Sequence, residues 1–571
     1  MSLDQGFEKF KKWRFVPEFV IIAFMFAFIN MRIGFWYETN DDYILNGMLA
    51  GWFTGTPSFR TIYGGFFYVF PLKCLYDLFP KVAWYGLGNL FLYVITCFGI
   101  LNRITAGAKN VAGYIYRLAI SCSVLGIMFR INTLFQYTTL GIIVAALGFV
   151  ILIVGGGRKR DYIAFFLCEL LAYGVRPESM GIVQIIGFMT LFVIKLRLSL
   201  IAKKPVVKFT VGRVLPALLI SVCIILVGKT ADRMIYNSPE WQQALRTNSA
   251  RASWFDYHLS PEADEISEIL EKNNITEEEY YAYRYYLNYG WDNSSDLITD
   301  VNEYLEKRDT RSADPVAIIK SVFLGSSLDW GLSKITLLVF AFTLFLAIIN
   351  KSILDIAAVS ILEISKLMAW GYLYYIGRFP VRVMLPMAIC HIIMLLLISL
   401  TAPANDHDEK NYVKYFKSGV IALFAVAFIL ASGKSFILQY RNCANAANGM
   451  RIMEDTKKDI ISYCNEKPDS RFIMAPAVYS YWGQAALYEK ENAGNFILGG
   501  GWFMSSPEAQ EHVSEYLESG KEIYYVSVGG DFQIPMEKHL EYFKKIQGYD
   551  PKLVEEKLMP SGATYLIYRL K

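Results

Sequence analysis

Residues 19–57 read FVIIAFMFAFINMRIGFWYETNDDYILNGMLAGWFTGTP and contain the two features that decide the fold. Residues 19–36 form an apolar run that is long enough to cross a bilayer as a helix. The acidic pair Asp41 and Asp42 follows almost at once. An apolar span that delivers two adjacent carboxylates to a membrane surface predicts a membrane protein with polar chemistry beside the lipid.

The rest of the chain repeats this contrast between apolar and charged segments. Of the 571 residues, 54% are hydrophobic and only 19% are charged. Residues 231–330 contain 28 of the charged residues and residues 441–571 contain 33, whereas the other 340 residues share 47. This pattern predicts a polytopic membrane protein with two water-facing segments, and it excludes a soluble enzyme, a coiled coil and a disordered chain.

Several other classes of function lack support in the sequence. The net charge is only +4 and the basic residues are scattered, so a nucleic-acid partner is not expected. The eight cysteines include no CxxC pair and the five histidines lack metal-ligand spacing, which argues against a disulfide framework and a histidine metal site. Gly228-Lys229-Thr230 lacks the upstream glycine of a phosphate-binding loop, so no nucleotide site is predicted.

Eleven apolar runs are long enough to span a bilayer when some tilt is allowed. A twelfth run, residues 62–79, contains Pro71, Lys73 and Asp77 and is predicted to lie along the outer membrane interface. The eleven predicted spans are residues 19–36, 82–101, 114–129, 133–154, 162–176, 180–195, 213–229, 332–349, 353–376, 383–400 and 418–437.

Basic residues predict the orientation of these spans in a plasma membrane. The basic stretches at 9–14, 157–160 and 195–213 are expected to be cytoplasmic, which places the N-terminus inside and the C-terminus outside. The chain then divides into a transmembrane module, residues 1–437, and a soluble extracytoplasmic domain, residues 441–571. The outer loop 36–81 and the outer helical segment 230–331 face the same side as that domain.

Residues 441–571 alternate helical patterns with short β-rich runs, which predicts a small α/β domain. The run Gly499-Gly500-Gly501-Trp502 is interpreted as a turn rather than as a loop that lines a ligand. Strands are predicted at 471–475, 522–528 and 563–569, and helices at 445–464, 507–518 and 535–546.

The acidic pair needs a partner, because adjacent carboxylates raise each other's proton affinity. A carboxylate beside an acceptor hydroxyl can act as a general base, and one that holds Mg²⁺ or Mn²⁺ can offset the charge of a leaving phosphate. The alternative is that Asn40 or Asp41 merely caps a helix over 43–53, with Asp42 in its first turn.

Arginines near the outer ends of spans make a functional role for the pair more plausible. Arg176 and Glu178 can pair locally, and Arg378 and Arg382, four residues apart, can clamp a phosphate. The alternative is that each arginine has no functional role and simply extends its side chain to the polar membrane interface. Together with Glu38 and the acidic pair, these residues suit the binding of a lipid-linked anionic substrate.

The order of these features resembles the GT-C superfamily of membrane glycosyltransferases. One span is followed by an outward loop that opens with Asp41-Asp42-Tyr43, then by Gly55-Thr56-Pro57 and an interfacial helix that ends at Leu78-Phe79-Pro80. The resemblance in order and topology covers the transmembrane module, and its motif-like part lies within the first 80 residues. The helix lacks the Pro-Pro or His-Pro-Pro start of several GT-C families, which leaves the subfamily open.

This resemblance implies a polyprenyl-phosphate sugar as donor and a cell-surface glycan, lipid or protein as acceptor. It implies Asp41 as the general base or a metal ligand, Asp42 as its partner, and Arg378 and Arg382 as the groups that bind the lipid phosphate. The metal would be Mg²⁺ or Mn²⁺. A nucleotide would not be needed, because the sugar arrives already activated.

Two other functions stay open at this point. One is a transporter or flippase of lipid-linked or other polar solutes, and the unexplained Glu169, Glu363 and Lys366 inside predicted spans favour it. The other is a non-catalytic protein that anchors a cell-envelope assembly.

Overall fold

A computed structural model of the chain has a bundle of long apolar helices followed by a C-terminal α/β domain. This architecture confirms the predicted class, a multi-pass helical membrane protein with an α/β domain at its C-terminus. The structure describes Phe7, Val316 and residues 10–287, 295–309, 331–375, 380–402, 411–478, 486–488, 494–529, 536–560 and 562–571.

Each predicted span coincides with a helix. In chain order the helices are α1 (Phe15–Arg32), α2 (Asn40–Ala50), α3 (Phe66–Leu78), α4 (Trp84–Ala106), α5 (Val111–Ile127), α6 (Tyr137–Val154), α7 (Lys159–Val175), α8 (Pro177–Ile201), α9 (Gly212–Ile235), α10 (Pro239–Tyr257), α11 (Ser267–Lys272), α12 (Glu277–Arg284), α13 (Ser295–Arg308), α14 (Leu332–Ile349), α15 (Ile353–Tyr375), α16 (Val381–Leu400) and α17 (Asn411–Asn465).

Among the described residues, eight helices are long and apolar enough to cross a membrane, namely α1, α4, α6, α8, α9, α14, α16 and α17. The other three predicted spans correspond to α5 and α7, which have 17 residues each, and to α15, which contains Asp355, Glu363 and Lys366. The count of eleven spans therefore stays a prediction.

The charges that lie inside predicted spans have partners on neighbouring helices. Glu169 of α7 accepts hydrogen bonds from Gln184 of α8 and from Ser221 of α9, the latter at 3.1 Å. Glu363 of α15 pairs with Lys366, and its other oxygen lies 3.0 Å from Nε2 of His391 on α16. Polar contacts of this kind join membrane helices, which gives these residues a structural role.

The first loop is fixed to the bundle by a short parallel pairing. Trp36 pairs with Leu134 and Tyr37 with Phe135, which forms strands β1 (Trp36–Tyr37) and β2 (Leu134–Phe135). Because β2 leads directly into α6, the residues that follow β1 lie beside the first turn of α6.

The predicted interfacial helix is α3, and its 13 residues span only about 20 Å, which is too short to cross a bilayer. It approaches α7 closely where Gly65 N–H donates to the Gly174 carbonyl at 2.8 Å. A Cβ atom on Gly65 would lie 2.8 Å from the Tyr173 carbonyl oxygen, and one on Gly174 would lie 2.7 Å from the Tyr68 nitrogen. Glycine is therefore required on both sides of this contact.

Helix α17 continues from the bundle into the C-terminal domain. Its 55 residues correspond to about 80 Å, more than twice the thickness of a bilayer core. The predicted boundary at 437–441 thus falls inside one helix, and the helix predicted at 445–464 is its end. The sequence over 437–445 contains no proline or glycine that would interrupt the helix.

The C-terminal domain contains one five-stranded sheet with strand order β4-β3-β5-β7-β6. Strands β3, β4 and β5 are parallel, and β7 pairs antiparallel with both β5 and β6. The elements after α17 are β3 (Ser470–Met474), β4 (Phe496–Leu498), α18 (Pro507–Leu517), β5 (Glu522–Val528), α19 (Met536–Lys545), β6 (Lys552–Leu558) and β7 (Thr564–Arg569). The three predicted strands correspond to β3, β5 and β7, whereas β4 and β6 were not predicted.

A buried histidine connects this domain to the outer helical segment. Nε2 of His539 lies 3.2 Å from the Tyr285 carbonyl, and Nδ1 lies 2.5 Å from the Tyr525 hydroxyl. A carbonyl only accepts, so Nε2 carries the proton and Nδ1 accepts from Tyr525. Burial lowers the pKa of His539 to about 4, and the folded protein therefore keeps this side chain neutral.

Acidification is expected to destabilise this contact. Unfolded histidine has a pKa of about 6.5, so between pH 6.5 and 4 the unfolded chain binds a proton that folded His539 does not. The stabilisation by neutral His539 is fully present above pH 6.5. About 2 to 4 kcal/mol of the free energy of unfolding is lost as the pH falls from 6.5 to 4. Scanning calorimetry of the full chain in detergent at pH 7 and pH 5 should show a lower unfolding temperature at pH 5. His539→Gln should reduce that difference, and an equal difference in wild type and variant would contradict the assignment.

Candidate functional site

A polar cavity of about 610 Å³ lies where the first loop, the bundle, the outer helical segment and the C-terminal domain meet. It combines three arginines and two aspartates with several aromatic rings. The lining residues are Asn40, Asp41, Tyr63, Tyr137, Arg176, Ser249, Arg251, Ala252, Ser253, Asp256, Tyr257, Tyr286, Arg382 and Trp502.

Asp41 lies at the centre of the ionic contacts of this cavity. One carboxylate oxygen accepts from the Arg382 guanidinium at 3.0 Å, and the other accepts from the Trp502 indole N–H at 3.2 Å. Its side chain is 16% exposed, so the carboxylate is partly shielded but still open to the cavity. Asp41 is the second residue of α2, where the helix dipole favours a negative charge.

Asp42 points into the protein core instead. It is fully buried, and one of its oxygens accepts from the Tyr85 hydroxyl at 2.8 Å and from the Tyr137 backbone N–H at 3.1 Å. Burial raises the pKa of Asp42 well above its usual value, because the loss of hydration outweighs these hydrogen bonds. Asp42 does not line the cavity; it fixes the first turn of α2 against α4 and α6.

The predicted capping role of Asn40 or Asp41 is not observed. Thr39 precedes the first helical residue, and no side chain makes a capping hydrogen bond there. Asp42 does lie in the first turn, as that alternative required. The capping alternative is therefore wrong for Asn40 and Asp41.

Of the helices that begin at the cavity, two have an arginine at their start. Arg176 is the residue before α8, and Arg382 is the second residue of α16. A cation in the first turn is opposed by the helix dipole, so neither position is favourable for an arginine without a negatively charged partner. The backbone N–H groups of a helix start together with a guanidinium form a site that suits a phosphate or another anion.

Aromatic rings hold the Arg176 side chain in place. The guanidinium lies 5.3 Å from the ring centre of Tyr63 and 4.9 Å from that of Tyr137, and it also donates to the Tyr137 hydroxyl. Its Nε pairs with Glu178 at 3.3 Å, as the sequence predicted. Glu178 itself is 72% exposed and does not line the cavity.

The remaining predicted site residues lie elsewhere. Glu38 pairs with Arg130 at 2.7 Å, and the Arg130 backbone N–H donates to Gln439 of α17 at 2.8 Å. Glu38 therefore helps to join the first loop to α17 and does not line the cavity. Arg378 lies outside the described residues. The structure thus places Asp41, Arg176 and Arg382 in one cavity. Glu38, Asp42 and Glu178 do not line it.

Trp502 is one of several cavity residues that the sequence interpretation missed; Arg251 and Asp256 of the outer helical segment are others. The glycine run before it does turn the chain, with Gly501 at a φ of 113°, and a short 3₁₀ helix, Trp502–Ser505, follows. The turn delivers the indole to Asp41 and packs it on Tyr63 with ring centres 4.7 Å apart. The sequence interpretation treated a turn and a cavity-lining loop as alternatives. The segment of residues 499–502 is both, because it turns the chain and its tryptophan lines the cavity. A tryptophan directly after three glycines was the available signal.

The acidic pair does not fit a divalent metal site. Asp42 is buried away from the cavity that Asp41 lines, so the two neighbouring carboxylates are not placed to share one ion. Within the described ranges, no group of three or more His, Cys, Asp or Glu side chains could hold a metal ion. Mg²⁺ and Mn²⁺ prefer several oxygen ligands, which this acidic pair does not supply together.

Replacing Trp502 by phenylalanine should slow turnover about tenfold, because it removes one N–H donor from Asp41 and keeps the ring against Tyr63. Trp241→Phe is the matched control. Its indole N–H also donates to a carboxylate, that of Glu508, at 3.2 Å, and Trp241 does not line the cavity. Steady-state rates should fall in the first variant only; equal rates in both would show that the contact with Asp41 is not used.

Replacing Asp42 by alanine should destabilise the protein by about 2 to 4 kcal/mol, because the Tyr85 hydroxyl and the Tyr137 N–H would lose their buried acceptor. Asp42→Asn keeps an acceptor oxygen and should recover most of the loss. Thermal unfolding of the purified variants in detergent measures the effect. An Asp42→Ala protein as stable as wild type would contradict the anchoring role.

No family profile matches the chain, and no curated protein matches its sequence. Among solved structures, the chain is similar to ArnT from Cupriavidus metallidurans bound to undecaprenyl phosphate, with a TM-score of 0.45, 9% identity and 97% coverage of both chains. It is also similar to the same protein in the apo state, with a TM-score of 0.38, 11% identity and 97% coverage of both chains.

Proposed function

We propose that the protein is a GT-C-type glycosyltransferase that moves a sugar from a polyprenyl-phosphate donor to a cell-surface glycan, lipid or protein. The observation that carries this proposal is the position of Asp41 in a polar cavity, between Arg382 and Trp502 and beside the start of two membrane helices. The arrangement places a partly shielded carboxylate next to groups that bind an anion. These are the two requirements for sugar transfer from a lipid phosphate.

In the proposed reaction Asp41 is the general base. Each of its oxygens makes one hydrogen bond to the protein, which leaves lone pairs that can accept a proton from an acceptor hydroxyl. As that proton moves to Asp41, the hydroxyl oxygen attacks the anomeric carbon of the donor. The bond from this carbon to the phosphate oxygen breaks, and its electron pair stays on the phosphate. The configuration at the anomeric carbon is inverted.

Arg382 and Arg176 stabilise the leaving phosphate in this proposal. Both are at helix starts that face the cavity, where backbone N–H groups add to the positive field. Formal charges support an anionic ligand, because Arg176, Arg251 and Arg382 outnumber the aspartates Asp41 and Asp256. Charge stabilisation of this kind acts mainly in the transition state, as negative charge develops on the departing oxygen.

The aromatic lining suits the sugar. Tyrosine and tryptophan rings offer an apolar face for the C–H groups of a sugar and polar edges for its hydroxyls. Trp502 supplies such a face next to Asp41 and packs on Tyr63, and Tyr257 and Tyr286 also line the cavity. The cavity lies at the ends of membrane-spanning helices, where the head group of a lipid-linked donor would reside.

This function fits the predicted orientation, with the N-terminus in the cytoplasm and the C-terminal domain outside the cell. Both water-facing segments contribute to the cavity, the outer helical segment through Arg251 to Tyr257 and the C-terminal domain through Trp502. A site at this surface would meet its lipid donor in the outer leaflet and its acceptor in the cell envelope.

The test is turnover of lipid-linked sugars by the full chain in detergent. Purified protein would be incubated with a panel of undecaprenyl-phosphate hexoses and with cell-envelope extract as the source of acceptor, and release of undecaprenyl phosphate would be measured. The proposal expects release from at least one donor. Failure to turn over any donor, together with movement of the same lipids across proteoliposome membranes, would favour a transporter and overturn the proposal.

A further inference from the structure

A second polar pocket lies at the opposite end of the bundle. It has a volume of about 390 Å³ and is formed by the connection from α6 to α7 and by the connection from α8 to α9. Helix α6 separates it from the Asp41 cavity by about 27 Å, the length of 18 helical residues. It therefore faces the predicted cytoplasmic side of the membrane. Its lining residues are Gly157, Tyr162, Lys204, Pro205, Lys208, Phe209, Gly212 and Arg213.

The pocket contains three cations without an acidic partner. Among the described residues, no ion pair joins Lys204, Lys208 or Arg213 to a carboxylate. The nearest acid in the connection, Asp161, is already shared by three arginines at 3.5 to 3.9 Å, namely Arg103, Arg158 and Arg160. Three unpaired positive charges around one pocket produce a strong attractive potential for an anion.

Two of the three cations contact an aromatic ring. The ring centre of Phe209 lies 5.1 Å from Lys204 Nζ and 4.1 Å from Arg213 Cζ. The Tyr162 hydroxyl donates to the Arg213 carbonyl at 2.9 Å, which connects the two walls of the pocket. Gly157, at a φ of 73°, leaves space that a Cβ atom would occupy 3.3 Å from Arg213 Nε. These contacts restrain Lys204 and Arg213, which lowers the entropic cost of binding a ligand, whereas Lys208 is exposed.

The backbone at the pocket is unusual. Val207–Val211 forms a π-helical turn directly before α9, with Lys208 and Phe209 inside it. Such turns insert an extra residue into a helix at some cost in stability and occur often at functional sites. Two residues of this turn, Lys208 and Phe209, line the pocket.

Exposed apolar side chains lie close in sequence to the residues that line the pocket. Leu200 and Ile201 are each 51% exposed at the end of α8, and Val207 and Val211 are 73% and 43% exposed in the π-helical turn. A soluble phosphate would gain nothing from these side chains. The acyl chains of a membrane lipid would cover them, since they belong to the end of α8 and to the turn before α9, and both helices are long and apolar enough to cross a membrane.

We propose that this pocket binds the phosphate head group of an anionic phospholipid of the inner leaflet. Lys204, Lys208 and Arg213 contact the phosphate, and Leu200, Ile201, Val207 and Val211 contact the acyl chains. The site is independent of the proposed sugar transfer, because it lies at the other end of the bundle and shares no residue with the Asp41 cavity.

Native mass spectrometry of the full chain in detergent tests the proposal. The protein would be titrated with phosphatidylglycerol, and with phosphatidylcholine as the zwitterionic comparison. A variant with Lys204→Gln, Lys208→Gln and Arg213→Gln should bind phosphatidylglycerol more weakly by about fivefold for each cation removed, with no change for phosphatidylcholine. The single variant Lys208→Gln provides the same test if the triple variant does not fold.

The matched control replaces three other exposed lysines of the same predicted face, with Lys12→Gln, Lys109→Gln and Lys351→Gln, and should leave binding unchanged. Three results would overturn the proposal. They are equal weakening in the control, equal affinity of wild-type protein for the two lipids, and displacement of bound phosphatidylglycerol by millimolar glycerol phosphate, which would show a site for soluble phosphates.

Discussion

Asp41→Asn should lower the rate of sugar transfer by at least about 100-fold while undecaprenyl phosphate still binds. Asparagine has the same shape, and its amide oxygen can still accept from the Trp502 indole at the position where Asp41 does so at 3.2 Å. It cannot take a proton from the acceptor. The loss should therefore appear in kcat rather than in KM for the lipid donor, which is the pattern of a group used in the transition state.

Asp77→Asn is the matched control for this variant. Asp77 lies on α3 in the same outer loop, where it is exposed and pairs with Lys73 at 2.5 Å, so the substitution removes the same charge away from the cavity. It should retain normal turnover. An Asp41→Asn protein that is folded and fully active would remove the base from the mechanism, and equal loss in both variants would indicate a general effect of charge on the loop.

Arg382→Gln is expected to have the second large effect, because it removes the guanidinium next to Asp41 and from the start of α16. Loss of one group that stabilises a developing charge reduces kcat by about 100-fold to 1000-fold. In contrast to Asp41→Asn, this variant should also bind undecaprenyl phosphate more weakly, because the phosphate is present in the ground state. Arg382→Lys should recover part of the binding but little of the rate, since lysine lacks the planar paired donors.

Arg246→Gln serves as the control for this series. Arg246 is an exposed residue of α10 that does not line the cavity, so its loss changes the net charge without touching the site. Thermal-shift titrations with undecaprenyl phosphate measure binding, and transfer assays measure the rate. Undiminished binding and rate in Arg382→Gln would show that the phosphate does not contact this arginine.

The membrane architecture could be predicted because the length of an apolar run is a local property of the sequence. Strands β3, β5 and β7 were found for the same reason, since each has an apolar β-rich pattern. Strand β6 was missed because four of its seven residues are charged, and it lies at the exposed edge of the sheet. Strand β4 was missed because three residues are too short to show a pattern.

The candidate site could be predicted only in part. A charged residue at the end of a membrane span is costly unless it is paired or functional, so Asp41, Arg176 and Arg382 stood out. The sequence could not separate Asp41 from Asp42, because neighbouring residues on a helix point about 100° apart and only the packing decides which one faces the core. The run of three glycines marked Trp502, but its contact with Asp41 could not be predicted, since it joins residues 461 positions apart.

The central claim, that the Asp41 cavity holds the phosphate of a polyprenyl donor, is tested most directly by a cryo-electron microscopy structure of the protein with undecaprenyl phosphate. The expected result is phosphate density within hydrogen-bonding distance of the Arg176 and Arg382 guanidinium groups, with the lipid chain leaving the cavity into the membrane. Density for the phosphate at any other place, with the Asp41–Arg382 cavity holding only water, would contradict the proposed function.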